Sequence, residues 1–212
     1  MERELPKQVF IDGCEQISME FEPIGFRFAK SGPHASRRAG DWAFKISFQS
    51  NYLNVGGEYV ELVVHASVYS KAIKEWDERS AWPASVSDWV AGGQLGNLRT
   101  PHHWRTWNIA NPHTRQAEIA NIVANIQTTV LPLFERFDVP RKLAEQVACS
   151  EVPGFMFPEM LFDLYSGSLV RRQRKTVCPI GWRAYLRRML SDQSAMSPLC
   201  RIGSLWEAIL TT

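Results

Sequence analysis

Trp42-Ala43-Phe44-Lys45-Ile46-Ser47-Phe48-Gln49 and Tyr59-Val60-Glu61-Leu62-Val63-Val64-His65-Ala66-Ser67-Val68-Tyr69 are the two stretches whose reading decides the fold. In the first, Trp42, Phe44, Ile46 and Phe48 alternate with Lys45, Ser47 and Gln49; in the second, Val60, Leu62, Val64, Ala66 and Val68 share a face. A period of two is that of a strand with one face buried and the other wetter. Asn54-Val55-Gly56-Gly57 separates them, so the pair reads as a β-hairpin. Working backwards, Phe26 and Phe28 alternate with Arg27 and Ala29 in an earlier strand. Residues 31–40, punctuated by Gly and Pro and carrying Arg37 and Arg38, read as a long basic loop. Working forwards, a short helical piece starts near Ser70 and carries Ile73 and Trp76. A weakly patterned tract follows, and residues 104–109 form a candidate fourth strand.

Helical spacing frames these strands. Val9, Phe10, Cys14, Ile17 and Phe21 recur at steps of three and four, which makes one face of an amphipathic helix ended by Pro23. Asn111-Pro112 is a helix-start signal ahead of Ile119, Ile122, Val123, Ile126, Val130 and Leu133, with Pro132 placed to kink or end that helix. The expected class is α+β, an antiparallel sheet of about four strands flanked by helices, over residues 1–138. Beyond Pro140 only helical spacings remain, as in Trp182, Tyr185, Leu186, Met189 and Leu190, with weaker helices expected at 140–149 and 158–166. Residues 139–212 are therefore expected to be an all-helical subdomain packed on the sheet domain.

Composition removes several classes of function. The 212 residues are 45% hydrophobic and carry 24 basic against 22 acidic side chains, which excludes a disordered or low-complexity chain. No run approaches the roughly 18 apolar residues of a membrane span. The first thirty residues lack a secretory apolar core, so the expectation is a cytoplasmic protein without membrane contact. Cys14, Cys149, Cys178 and Cys200 show no C-x-x-C pair, and all four read as reduced.

No motif names a reaction. His102 and His103, with His113 nearby, are the one histidine cluster, but adjacent residues diverge and no carboxylate or cysteine lies close in sequence to complete a metal site. A nucleophile elbow is absent. Gly92, Gly93 and Gly96 lack the P-loop lysine and read as a surface loop. Glu75, Asp77 and Glu78, flanked by Lys74 and Arg79, read as a solvated helix face. No catalytic residue, metal ligand or cofactor is expected.

Charge is uneven: residues 1–138 hold 14 basic and 16 acidic side chains (net −2), whereas residues 139–212 hold 10 and 6 (net +4). Arg171, Arg172, Arg174, Lys175, Arg183, Arg187 and Arg188 fall within eighteen residues without an acid between them. This patch is the basis of an alternative reading, a nucleic-acid-associated protein using the basic carboxy-terminal helix, against which stands a pI of only about 8.4. Eight tryptophans are many for this length, and Trp76, Trp82, Trp89 and Trp104 lie in or beside the weakly patterned tract. Tryptophan is enriched at interface hot spots.

Residues 22–28 (Glu-Pro-Ile-Gly-Phe-Arg-Phe), 40–50 (ending Phe48-Gln49-Ser50), 60–65 and Leu131-Pro132-Leu133-Phe134 together resemble a bacterial family of uncharacterised domains. Its members look like immunity proteins encoded beside antibacterial toxins, including type VI secretion effectors. The resemblance covers residues 20–137 and implies a non-enzymatic chain that binds a cognate toxin and occludes it. On that reading Trp82, Trp89, His102, His103 and Arg37 are expected as partner-binding residues presented from loops, with Arg171, Arg172 and Arg187 as a charged rim. Many immunity proteins against basic nucleases are acidic, and this chain departs from them in being slightly basic.

Overall fold

In the computed structural model, residues 4–72, 74–75 and 88–138 are described. They form an antiparallel sheet with helices on one face. The chain begins with α1 (Pro6–Met19), whose Val9, Phe10, Cys14 and Ile17 are buried on the side anticipated from their spacing. α1 stops before Pro23, which sits instead in a 3-10 turn over Glu22–Ile24. Six strands follow: β1 (Arg27–Ala29), β2 (His34–Ala39), β3 (Trp42–Ser50), β4 (Glu61–Ser70), β5 (Trp89–Gln94) and β6 (Trp107–Asn108). They are ordered β1-β2-β3-β4-β5, and β6 shares with β5 the same edge of β4.

β3 and β4 pair over nine positions, with Phe44 opposite Val68, Ile46 opposite Ala66 and Phe48 opposite Val64 on the core face. All six are buried. Against that face lie α1 and a long helical stretch, α2 (Arg115–Asn125), a π-helical turn (Ile126–Val130) and α3 (Leu131–Glu135). The π turn precedes Pro132, which has no N–H to give to the carbonyl four residues back, so the helix widens there and continues rather than ending. Asn111 acts ahead of the expected place: its side chain accepts from the His113 N–H, and α2 starts at Arg115.

The structure corrects the strand count. Residues expected as a loop at 31–40 contain β2, joined to β3 by the two residues Gly40 and Asp41, with Gly40 left-handed at φ +58°. β2 escaped the pattern because its core-facing positions are Ala35, Arg37 and Ala39 rather than large apolar residues. The glycine tract expected on the surface is β5 and the 3-10 turn after it, with Ala91, Gln94 and Leu95 buried. The strand expected at 104–109 contracts to Trp107–Asn108. The expected β3–β4 hairpin is present, with a connection from Asn51 to Val60 that extends beyond the Asn54–Gly57 separator. Residues 71–72 and 74–75 are helical, with Lys71 paired to Glu75 at 3.3 Å, whereas Ile73, Trp76, Asp77, Glu78 and Arg79 of the expected helix lie outside the described residues. The helices and basic run expected over 139–212 lie outside the described residues.

Gly92 explains why β5 reads so weakly. A Cβ there would lie 2.2 Å from the Ala66 carbonyl oxygen of β4, and its φ is +147°. Gly92→Ala should therefore lower stability by about 1–3 kcal/mol. Gly40→Ala, also at positive φ but in open space, should cost about 1 kcal/mol. Denaturant midpoints of the two variants check this ordering.

Candidate functional site

The β3–β4 connection is the most exposed apolar element among the described residues. Tyr52 is 92% exposed and Leu53 61%, and Val55 and Tyr59 are also exposed. Such a segment would ordinarily be mobile, yet here asparagine side chains hold its backbone. Asn51 accepts from the Leu53 N–H at 3.0 Å and donates to Glu61 Oε2 at 2.6 Å. Asn54 donates to Ser50 Oγ at 2.7 Å and accepts from the Glu61 N–H at 2.9 Å. Val55 and Tyr59 exchange backbone bonds at 2.7 and 2.9 Å. These are the local side-chain-to-backbone bonds that asparagine makes in turns.

A third asparagine ties the loop's base to a distant part of the chain. Asn108 in β6 accepts from the N–H groups of Val60 (2.9 Å) and Ala110 (3.0 Å), and donates to the Glu58 carbonyl at 3.0 Å. A Cβ on Gly56 would lie 2.5 Å from the Glu4 carbonyl, so the tip rests on the chain entering α1, where Leu5 is also exposed. Partial burial, and then the charge and hydrogen bond of Glu61, push the Tyr59 phenol above its ordinary range. The tip is a preformed ledge: aromatic and aliphatic side chains outward, polar bracing inward. Its signal in the sequence was the asparagine spacing around Tyr52-Leu53, which the strand periodicity on either side does not report.

The residues expected to bind a partner are dispersed. Trp82, Arg171, Arg172 and Arg187 lie outside the described residues. Trp89 stands half-buried in β5, opposite Tyr69. His102 and His103 are exposed, but each Nδ1 turns to a different carbonyl, Asn97 at 2.7 Å and Pro101 at 3.2 Å, so they do not converge. Among the described residues no group of three or more His, Cys, Asp or Glu side chains could hold a metal. Arg37 is not on a loop: it projects from β2 on the core side, its guanidinium 5.3 and 5.2 Å from the Phe26 and Phe44 ring centres. Its Nη1 donates to the Ile24 carbonyl at 3.3 Å, while its buried Nε has no hydrogen-bond partner among the described residues. Cys14 is fully buried, and desolvation pushes its thiol far above the ordinary range. It is packing, not a nucleophile.

Trp104, one of the tryptophans noted beside the weakly patterned tract, meets His65, which sequence reasoning did not select. Trp104 is 60% exposed and its ring meets His65 edge-on at 6.1 Å. His65 Nε2 lies 3.1 Å from Gln49 Oε1. Behind them Gln94 donates to the Arg105 carbonyl and accepts from the Gly96 N–H, and Arg105 reaches Asn125 Oδ1 at 2.8 Å.

The model of the domain of unknown function DUF4304 matches residues 18–136, more than half of the chain, and the chain belongs to that family. Comparison with curated proteins and with solved structures found no match. No helix among the described residues is long and apolar enough to cross a membrane.

Two measurements probe this region. Asn108→Ala removes three hydrogen bonds and should cost about 1–3 kcal/mol, with faster amide exchange at Val60 and Ala110. Burial holds the His65 imidazole below its ordinary 6.5. The folded protein thus keeps it neutral, while the unfolded chain takes up a proton as pH falls below 6.5. The stability this group contributes is present above that value and is lost as pH falls through the lower folded value. NMR titration should place the His65 ring below a free histidine, and His65→Gln should flatten that part of the stability profile.

Proposed function

We propose that this chain is a non-enzymatic immunity protein that binds and occludes a cognate antibacterial toxin, of the type VI effector kind, encoded by a neighbouring gene. The observation that carries the reading is the braced tip: Tyr52 and Leu53 stand outside the core on a backbone fixed by Asn51, Asn54 and Asn108. Exposed apolar side chains on a rigid support are what a protein interface uses, because little ordering entropy remains to be lost on binding. Tyrosine is among the residues enriched at hot spots. The sequence pattern shared with immunity-protein-like domains supports the same reading, and the lack of a secretory apolar core in the first thirty residues favours action in the cytoplasm.

In this arrangement Tyr52 and Leu53 form the desolvated centre of the contact, and the exposed Trp104 and His102 contribute further contacts. Trp82, Trp89, His103 and the Arg171, Arg172 and Arg187 rim remain proposed contributors. Tagged protein co-purified with its neighbouring gene product should yield a stoichiometric complex. Tyr52→Ser with Leu53→Ser should weaken that complex by about 2 kcal/mol or more, with the thermal midpoint unchanged. A complex whose affinity ignores both substitutions moves the interface elsewhere, and no complex overturns the immunity reading.

A further inference from the structure

The face of the sheet turned away from the helices carries a distinct charge pattern. The strand registers place its side chains in rows: Arg27, Ser36, Lys45, Ser67 and Gly92 in one; Ala29, His34, Ser47, His65 and Gln94 in the next; Arg38, Ala43, Tyr69 and Trp89 in the row on the other side. Paired strands are about 4.8 Å apart, and alternate residues on one strand about 6.8 Å. Ser36 is therefore ringed by Arg27 and Lys45 across the strands and by His34 and Arg38 along its own.

These rows hold no carboxylate. Among the described residues the acid nearest these rows is Asp41 in the β2–β3 turn, which makes no ion pair with Arg38. Glu61 lies three rows from Lys45, about 20 Å along β4, beyond the screening length at physiological salt. Among the described residues Arg27, Arg38 and Lys45 have no ion-pair partner, and the hydroxyls of Ser36, Ser47 and Ser67 have no hydrogen-bond partner. Arg27 and Arg38 are exposed and the serines partly so. At the opposite edge the face is closed, with Gln94 buried and Trp104 set against His65.

We propose that the β1–β4 part of this face is a docking surface for an acidic segment of a partner protein, whose carboxylates are received by Arg27, Lys45 and Arg38 around the Ser36 hydroxyl. The inference rests on the reading of the chain as a binding module and adds the chemistry of what it binds. Guanidinium and ammonium groups with adjacent hydroxyl donors suit carboxylates directly. A nucleic-acid backbone fits less well. Among the described residues no tyrosine or tryptophan stands between the three cations, since Tyr69 and Trp89 lie in the Arg38 row two and three strands farther on, so stacking side chains do not interleave with them.

The test uses the full chain and a fluorescein-labelled polyglutamate peptide, read by anisotropy at low and physiological salt. Arg27→Glu, Arg38→Glu and Lys45→Glu together should weaken binding by at least about tenfold, whereas Lys7→Glu, Lys71→Glu and Lys74→Glu together should leave it unchanged. Ser36→Asp, which places a carboxylate of the chain's own in the ring, should weaken it without the triple charge reversal. Thermal midpoints of all variants establish that they are folded. Absence of peptide binding at low salt, or equal loss in the control triple, overturns the proposal. An oligothymidylate of matched charge that binds more tightly and responds to the same substitutions overturns it in favour of nucleic acid. Because the peptide is not the toxin, failure here leaves the immunity reading standing, and failure of the co-purification leaves this face standing.

Discussion

A chain of aromatic contacts around Phe134 is the interaction on which the remaining structure depends. Its ring packs 4.9 Å from Phe44 in β3 and 6.1 Å from Phe26 at the start of β1. Phe26 meets Phe21 beyond α1, and Phe137 meets Trp42 at 5.0 Å. Each such pair contributes roughly 0.5–1.5 kcal/mol beyond the area it buries. More important is where the rings come from: the end of the long helix, the first strand, the central strand and the segment after α1. One cluster thus fixes four elements against one sheet face. The widened turn at Ile126–Val130 belongs to the same solution, since it sets the rotation with which Leu133, Phe134 and Phe137 meet the sheet.

A second clamp works at the opposite end of the helices. Arg115 donates to the Ile109 and Ala110 carbonyls and to both Glu4 oxygens, and that hydrogen bonding lowers the Glu4 carboxyl below its ordinary range. Gly13 allows α1 to approach Ile109, since a Cβ there would lie 2.7 Å from its Cδ1. The aromatic end is held by dispersion and the Arg115 end by charge and close approach.

The elements legible in the sequence were those whose burial is written in large side chains. β3, β4 and the two main helices announce themselves because each needs an apolar face of its own. β2 does not, because at Arg37 the stem and the flat guanidinium cover Phe26 and Phe44 where an apolar residue would be expected. The Gly40-Asp41 turn was the available hint, outweighed by the loop-like composition around it. β5 hid for the opposite reason: it is buried because Gly92 and Gly93 have no side chains, so the tract looks like a loop to any reading based on hydrophobicity. The candidate site was less legible still. Histidines and tryptophans stand out by rarity, but what makes a surface usable is backbone fixation around ordinary residues such as Tyr52, together with vacant cations spread over three strands. Such a grouping is a property of register, not of neighbourhood in the chain.

The asparagine bracing of the β3–β4 tip has an evolutionary consequence. Asn51, Asn54 and Asn108 set the backbone of the tip, whereas the side chains of Tyr52 and Leu53 support nothing inside the domain. Shape and chemistry of the contact surface are thereby uncoupled from folding. Descendants of this chain are free to exchange the two outward residues against a changing counterpart while the frame beneath them stays constant, so divergence between lineages should accumulate first at the tip and last at the asparagines that carry it.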